Sequence, residues 1–424
     1  MSYKIGDFVR IEKDGAFFEG HVIQGDPGYI TIKMTGGGYI SGFLQDAVGI
    51  EVLESPEVPP VFLVRPCAEN APAFSKSKSG IKISILSTGG TIACYFNPET
   101  GSVVPSFSAA DILSEVPELD GFADFSAREV FSLLSENMGP EHWIKLAEAI
   151  YEEIQNGADG IIVTHGTDTM AYSAAAISYM IETPVPIVFT GAQRSPDRPS
   201  SDNHMNLVCA AKIARSDIAE VTLVMHGSLS DDFCYVHRAV KAKKMHTSRR
   251  DTFKSINMLP IALIDYKSDR FELLSDYVDY QKRGEKKLSF SPKLEKRCAI
   301  VKFVPGASPD IFDYYLENGY KGIILEGVGL GHVSDDWIPL IQKATVMKIP
   351  VVITSQCVFG ATACDTYETG QNMKKAGAVE AIDQTTDAVF VKLMWLLGQG
   401  YDYETVKKKI VEDYRGEISS MIID

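Results

Sequence analysis

Between residues 1 and 54, apolar and polar positions alternate in short runs around Val9–Ile11, Phe18–Ile23, Tyr29–Met34 and Tyr39–Phe43. The turn signals Asp26-Pro27-Gly28 and Gly36-Gly37-Gly38 separate them. A period of two turns one side of each run toward a core and the other toward water, while the glycine and proline breaks reverse the chain. The pattern predicts a small β-barrel over 1–54. The alternation then stops: Pro56, Pro59, Pro60, Pro66 and Pro72 stiffen the chain and Ser75-Lys76-Ser77-Lys78-Ser79 loosens it, so 55–79 reads as a linker.

From Ile81 the texture changes to apolar runs of strand length alternating with amphipathic segments of helical length, the mark of βα units around a largely parallel sheet. Buried strands are predicted at Ile81–Leu86, Gly160–Val163, Pro186–Phe189 and Val221–Met225. One helix starts at Pro140, repeats Trp143, Ala147, Ile150, Tyr151 and Ile154 at three- and four-residue spacing, and stops before Gly157. An Ala-rich helix is expected over Met170–Met180. The basic stretch Lys282–Arg297, with Gly284 and Pro292, interrupts the pattern before a second βα series begins at Ala299. That series runs through Gly322–Leu325 and Pro350–Ile353 and ends in helices near 385–398 and 402–414. The expected fold class is therefore α/β: a doubly wound parallel-sheet domain at 80–281, a connector at 282–297, a smaller α/β domain at 298–424, and the N-terminal small β-barrel.

The 424 residues fit two to four domains, at roughly 100–200 residues for each. Lys plus Arg number 41 against 56 Asp plus Glu, a net charge of −15, so the long-range field repels phosphate backbones and autonomous nucleic-acid binding is disfavoured. The cysteines (Cys67, Cys94, Cys209, Cys234, Cys298, Cys357, Cys364) are scattered and form no CxxC pair, which argues against a disulfide framework or a zinc site and for a reducing cytoplasm. Charges interrupt the first 24 residues and no apolar run is long enough to span a membrane, so a soluble, non-secreted protein is expected.

Four segments carry candidate chemistry. Ser87-Thr88-Gly89-Gly90-Thr91-Ile92-Ala93 follows a predicted strand; its glycines allow a sharp turn and a close approach to a ligand, and Thr91 offers a hydroxyl at the strand's carboxyl end. A plain glycine turn explains the same residues, and the segment lacks the endings of a phosphate loop or a dinucleotide fingerprint. Thr164-His165-Gly166-Thr167-Asp168-Thr169 lies between a buried strand and the Ala-rich helix. There Asp168 suits either a helix cap or a substrate ammonium, Thr167 suits a nucleophile or a water-positioning group, and His165, with no second ligand at metal spacing, reads as a packed loop histidine. Lys241-Ala242-Lys243-Lys244 opens a basic segment running to Ser255; it reads as a solvated face or as the source of a lysine base for a threonine hydroxyl, and spacing does not say which lysine. Leu134-Ser135-Glu136-Asn137-Met138-Gly139 reads by itself as a helix-entry turn.

In this order and on these junctions, the four segments resemble the type I/II asparaginase family from about Ile81 to the C-terminus. The pair TGGTIA at 88–93 and HGTDTM at 165–170 carries the likeness, and Gly322-Ile323-Ile324-Leu325-Glu326-Gly327-Val328-Gly329-Leu330-Gly331-His332 resembles the family's second-domain signature. The resemblance implies that Thr91 is the acyl-accepting nucleophile, Thr167 and Asp168 the second threonine and its acid, and Lys244 the catalytic lysine by counting back from Thr252-Phe253-Lys254-Ser255. It further implies that Ser135 and Glu136 bind the substrate's α-carboxylate and amine. For such a reaction the backbone N–H groups of Gly89–Thr91 are the candidate oxyanion donors, and no metal or cofactor is expected. Lys241 and Lys243 are then expected to be replaceable solvated cations. The family's loop tyrosine has no clear counterpart, because Pro98 falls at its place and Tyr95 three residues early. A barrel, a linker and an asparaginase body together resemble the D-subunit family of the archaeal glutamyl-tRNA(Gln) amidotransferases over the whole chain. That likeness implies ammonia release from asparagine or glutamine to a partner, the amidotransferase's E subunit, which holds glutamate-charged tRNA(Gln) and uses ATP; it also implies a homodimer within a heterotetramer. A stand-alone cytoplasmic L-asparaginase and a non-catalytic tRNA-binding or scaffold protein remain open as alternatives.

Overall fold

The computed structural model describes residues 3–13, 15–26, 28–34, 40–44, 48–55, 80–90, 94–97, 102–105, 116–196, 200–268, 270–274, 279–420 and 422. The expected linker, apart from Ser55, and the Gly36–Gly38 turn lie outside them. Strands β1 (Phe8–Lys13), β2 (Ala16–Asp26), β3 (Tyr29–Met34), β4 (Ile40–Leu44) and β5 (Gly49–Glu54) form an antiparallel sheet in the order β4-β3-β2-β1-β5. Alternation does the sorting: Val9 and Ile11 enter a core with Val22, Ile30, Ile32 and Phe43, while Arg10 between them faces out to Glu19 and Glu51 on the two neighbouring strands. The sequence pattern does not reveal β5, an edge strand exposed along most of its length.

The main sheet comprises β6 (Lys82–Gly89), β9 (Asp124–Leu133), β10 (Gly160–Thr164), β12 (Ile187–Thr190), β13 (Val221–His226), β14 (Phe233–Arg238), β17 (Ala262–Asp265) and β18 (Phe271–Leu273), in the order β18-β17-β14-β13-β12-β10-β6-β9. The pairs from β9 to β13 are parallel; those from β13 to β18 are antiparallel, so the sheet is mixed at one side. Smaller pairs lie apart from it: β7 (Cys94–Asn97) with β8 (Ser102–Pro105), β11 (Ile181–Glu182) with β19 (Ser289–Phe290), and β15 (Ala242–Lys244) with β16 (Phe253–Ser255). Helices α1 (Pro140–Gln155) and α2 (Met170–Met180) cover one face, where Trp143, Leu146 and Ile150 meet Ile161, Val163 and Phe189. Helix α3 (Asn203–Ala214) covers the other, where Leu207, Ala210 and Ala211 meet Ile83, Ile85, Ile162 and Val188. Successive residues of β10 and β12 thus enter opposite cores, which is why these strands read as unbroken apolar runs.

The second parallel sheet runs β20 (Cys298–Lys302), β21 (Gly322–Gly327), β22 (Val351–Ser355), β23 (Val379–Glu380), with helices α4 (Asp310–Glu317), α5 (Ile338–Val346), α6 (Glu368–Lys375), α7 (Thr386–Gly398) and α8 (Tyr403–Lys409). The helix expected to reach 414 ends at Lys409. Helix α7, capped by the Thr385 side chain, packs on α2: Tyr172 meets Phe390 edge-on and Tyr179 stacks with Trp395. One apolar core therefore spans both sheets. Among the described residues no helix is long and apolar enough to cross a membrane.

Candidate active site

The topology singles out one crevice. From β6 the chain moves to β9 on one side, and from β10 to β12 on the other, so the neighbouring strands β6 and β10 mark the switch point where an open α/β sheet leaves room for a ligand beyond its carboxyl ends. The two threonine motifs follow those two strands.

Close backbone packing there accounts for the glycines. Gly89 and Gly90 have φ of 96° and 83°, in the left-handed region. A Cβ on Gly90 would stand 2.3 Å from the Gly166 nitrogen, and one on Gly89 would stand 2.4 Å from the Leu133 oxygen. A Cβ on Gly166 would in turn meet the Ser135 side chain at 2.7 Å. Two hydrogen bonds lock the arrangement: Thr88 Oγ1 donates to the Thr164 carbonyl at 2.9 Å, and Thr169 Oγ1 donates to the Ser135 carbonyl at 2.7 Å. Three of the four motif segments therefore meet directly. Of the N–H groups expected as oxyanion donors over Gly89–Thr91, that of Gly90 donates to the Leu133 carbonyl at 3.1 Å, and Thr91 lies outside the described residues.

The fourth segment arrives through β15. Lys244 Nζ donates to Thr167 Oγ1 at 2.9 Å and to Asp168 Oδ1 at 2.6 Å. Thr167 is buried, whereas the Asp168 side chain is 67% exposed and open to a ligand. Asp168 does not cap α2: Thr169 holds the N-cap position, with no side-chain cap bond, and the Asp168 carboxylate turns to Lys244 instead. His165 is fully buried with Nδ1 2.7 Å from the Gly166 carbonyl, and burial lowers its pKa to about 4. A neutral ring whose Nδ1–H donates to that carbonyl is the packed loop histidine the sequence suggested.

Ser135 is buried in a 3-10 turn, Ser135–Asn137, and Glu136 beside it is exposed. This turn leads into α1 as expected of a helix entry, and its contacts with Gly166 and Thr169 place it beside the second threonine. Thr91 lies outside the described residues, as does Pro98; Tyr95 falls within β7. The 322–332 signature forms β21 and a tight turn in which a Cβ on Gly327 would meet the Gly331 oxygen at 2.4 Å, a packing reason for its glycines.

The neighbours of Lys244 differ from expectation. Lys241 is fully buried and pairs with Asp383 Oδ2 at 2.6 Å, and Lys243 reaches both oxygens of Asp387 at 3.0 and 3.1 Å. Neither is a replaceable solvated cation, because each is tied to the second sheet's half of the molecule. Asp383 and Asp387 escape a reading of the sequence since nothing local connects them to a lysine more than 140 positions earlier. The available signal was strand geometry, which turns Lys243 and Lys244 to opposite sides. Among the described residues, no group of three His, Cys, Asp or Glu side chains could hold a metal ion.

Two family descriptions match the chain: "Asparaginase, N-terminal" over residues 82–277 and "Glutaminase/Asparaginase C-terminal domain" over 297–409. Proteins named as the D subunit of glutamyl-tRNA(Gln) amidotransferase are similar over the full length: that of Methanosarcina acetivorans is 52% identical over 99% of both chains, and that of Pyrococcus horikoshii 41% identical over 98% of this chain and 95% of its own. The thermostable L-asparaginase from Thermococcus kodakarensis superposes with a TM-score of 0.71 at 31% identity, covering 80% of this chain and all of its own. L-asparaginase I from Vibrio cholerae gives 0.70 at 28% identity, covering 80% of this chain and 99% of its own.

Proposed function

The chain belongs to the D-subunit family of the glutamyl-tRNA(Gln) amidotransferases, the asparaginase-type amidase component of a tRNA-dependent amidotransferase, and from that premise we propose how its residues divide the reaction. Thr91 is the nucleophile: its hydroxyl oxygen attacks the side-chain amide carbonyl of asparagine or glutamine, the carbon–nitrogen bond breaks, and the hydroxyl proton leaves with the nitrogen as ammonia. Water then cleaves the threonyl ester, releasing the free acid and restoring Thr91. Lys244 is the proton acceptor for Thr167 or for a water that Thr167 orients, and Asp168 holds the lysine and receives the substrate's ammonium. Ser135 and Glu136 bind the α-carboxylate and amine. The reaction requires no metal.

The observation that carries this reading is the Lys244 amine within hydrogen-bond reach of both Thr167 and Asp168 at the switch point between β6 and β10. Ammonia passes to the E subunit, which holds glutamate-charged tRNA(Gln) and binds the ATP. The acidic charge of −15 suits a protein that leaves the tRNA to its partner. We read the N-terminal sheet as a small barrel, the three folded units at 1–54, 80–281 and 298–424 as separate domains, the assembly as a homodimer within a heterotetramer, and the site of action as the cytoplasm. The test follows ammonia and aminoacyl-tRNA in parallel, with and without each component. Ammonia release rises severalfold when the E subunit and glutamate-charged tRNA are added, and glutaminyl-tRNA forms. A rate indifferent to both, with no amidated tRNA, would leave a free asparaginase; no asparagine hydrolysis under any condition would leave a scaffold.

A further inference from the structure

Strand β15 is three residues long and pairs only with β16, outside the main sheet. A strand so short has little to hold its register, yet it carries Lys244, whose amine must stay within hydrogen-bond reach of Thr167. Its side chains alternate: Lys244 turns to Thr167 and Asp168, and Lys243 turns to Asp387. The Lys243–Asp387 pair is sheltered, with side chains 29% and 10% exposed. Asp387 stands in the first turn of α7, where the unpaired amides and the helix dipole favour a carboxylate.

The same helix reaches the other half of the site. Tyr172 lies in the first turn of α2, immediately after the Thr167–Thr169 segment, and burial together with the nearby Asp387 charge pushes its hydroxyl pKa up. The Tyr172 ring meets Phe390, one turn along α7 from Asp387, at 6.5 Å and 84°. Helix α7 of the second domain thus touches both halves of the site: Asp387 holds the strand that presents the lysine, and Phe390 packs on the helix start that follows the threonine.

We propose that Asp387 is a positioning residue that sets the Lys244–Thr167 contact from the second domain, gripping β15 through Lys243 and the start of α2 beside Tyr172. Lys241 and Asp383 anchor the beginning of the same strand but are wholly buried, so they belong to the fold as a whole. Lys243 stays partly open and its Asp387 partner sits at the edge of the core, so altering the pair displaces the lysine without dismantling the core. This rests on the assignment of Lys244 and Thr167 given above.

The experiment compares Asp387→Asn, Lys243→Met, the double variant and Asp387→Glu in the full-length protein with the E subunit and charged tRNA present. It measures kcat and KM for asparagine and the thermal midpoint, with Lys244→Met as control. A displacement of about 1 Å at reacting groups lowers rates on the order of 10²-fold, so each single substitution is expected to lower kcat by roughly 10- to 100-fold. KM should stay within about twofold, since Ser135 and Glu136 are untouched. The double variant should fall no more than about threefold below the worse single one, because both remove one contact. Asp387→Glu, which keeps the charge, should recover at least about a third of the parental kcat. Singles within twofold of the parental kcat, losses that multiply in the double variant, or losses confined to KM would overturn the proposal. Lys244→Met retaining turnover would instead overturn the site assignment beneath it, whereas an inactive Lys244→Met beside a normal Lys243→Met would reject the clamp alone.

Discussion

Replacing Gly90 with Ala tests whether the close approach of the two threonine motifs is what builds the site. Two penalties follow from the geometry. At φ 83° an alanine carries conformational strain of about 1–2 kcal/mol. Its Cβ would also lie 2.3 Å from Gly166 N and 2.4 Å from Gly166 Cα, both backbone atoms that no side-chain rotation can clear. Restoring ordinary contact means moving the 88–90 turn away from the 165–166 turn by roughly 1 Å, a displacement that lowers a rate on the order of 10²-fold when it separates reacting groups. Gly157 supplies the control: its φ is 91°, and a Cβ there meets nothing within 4 Å. Gly157→Ala should therefore lose about 1–2 kcal/mol in urea unfolding with normal asparagine hydrolysis per folded molecule. Gly90→Ala should lose about 3 kcal/mol or more and at least ~10²-fold in hydrolysis. If Gly90→Ala were no worse than Gly157→Ala by either measure, the contact between the motifs would not matter and the reasoning would fall.

Lys244→Met, Thr167→Ala and Thr91→Ala should each lower amide hydrolysis by at least ~10³-fold. Lys244→Met should cost stability about 1 kcal/mol at most, because its Asp168 partner is largely exposed; near-normal turnover in any of the three would refute that residue's role. Lys241→Met, by contrast, leaves the buried Asp383 carboxylate without its cation and should destabilise by about 3–5 kcal/mol; a change below about 1 kcal/mol in denaturant unfolding would contradict the buried pairing. Burial holds His165 near pKa 4 and lowers His237 to about 3, so the folded protein refuses protons that the unfolded chain accepts below about pH 6.5. Stability from these two is complete above that pH and declines as pH falls, by roughly 3 kcal/mol for each at pH 4. His237→Gln should flatten the decline between pH 6.5 and 4, and an unchanged slope would show that this ring does not contribute.

Local pattern was sufficient for whatever depends on neighbours in the chain. Periodicity placed α1 from Pro140, Ala-rich composition placed α2 over Met170–Met180, and unbroken apolar runs placed β6, β10, β12 and β13, because both faces of those strands are buried. It missed β5 and β18, edge strands whose apolar residues are largely exposed and so follow no inside–outside alternation. The motif residues were also legible, since a glycine turn after a strand and a threonine beside an acid are features of consecutive positions. What one chain segment does to another was not legible. Asp168 reads equally as a cap until Lys244 is seen beside it, and the Gly90 N–H reads as free until Leu133 is seen to accept it. Lys241, Lys243 and Lys244 look alike as a cationic cluster, yet one is buried against Asp383, one is held by Asp387 and one faces Thr167. The reason is physical: the environment of a charge is set by the groups folding brings within a few ångströms, and here those groups come from strands and helices roughly 70 to 140 residues away.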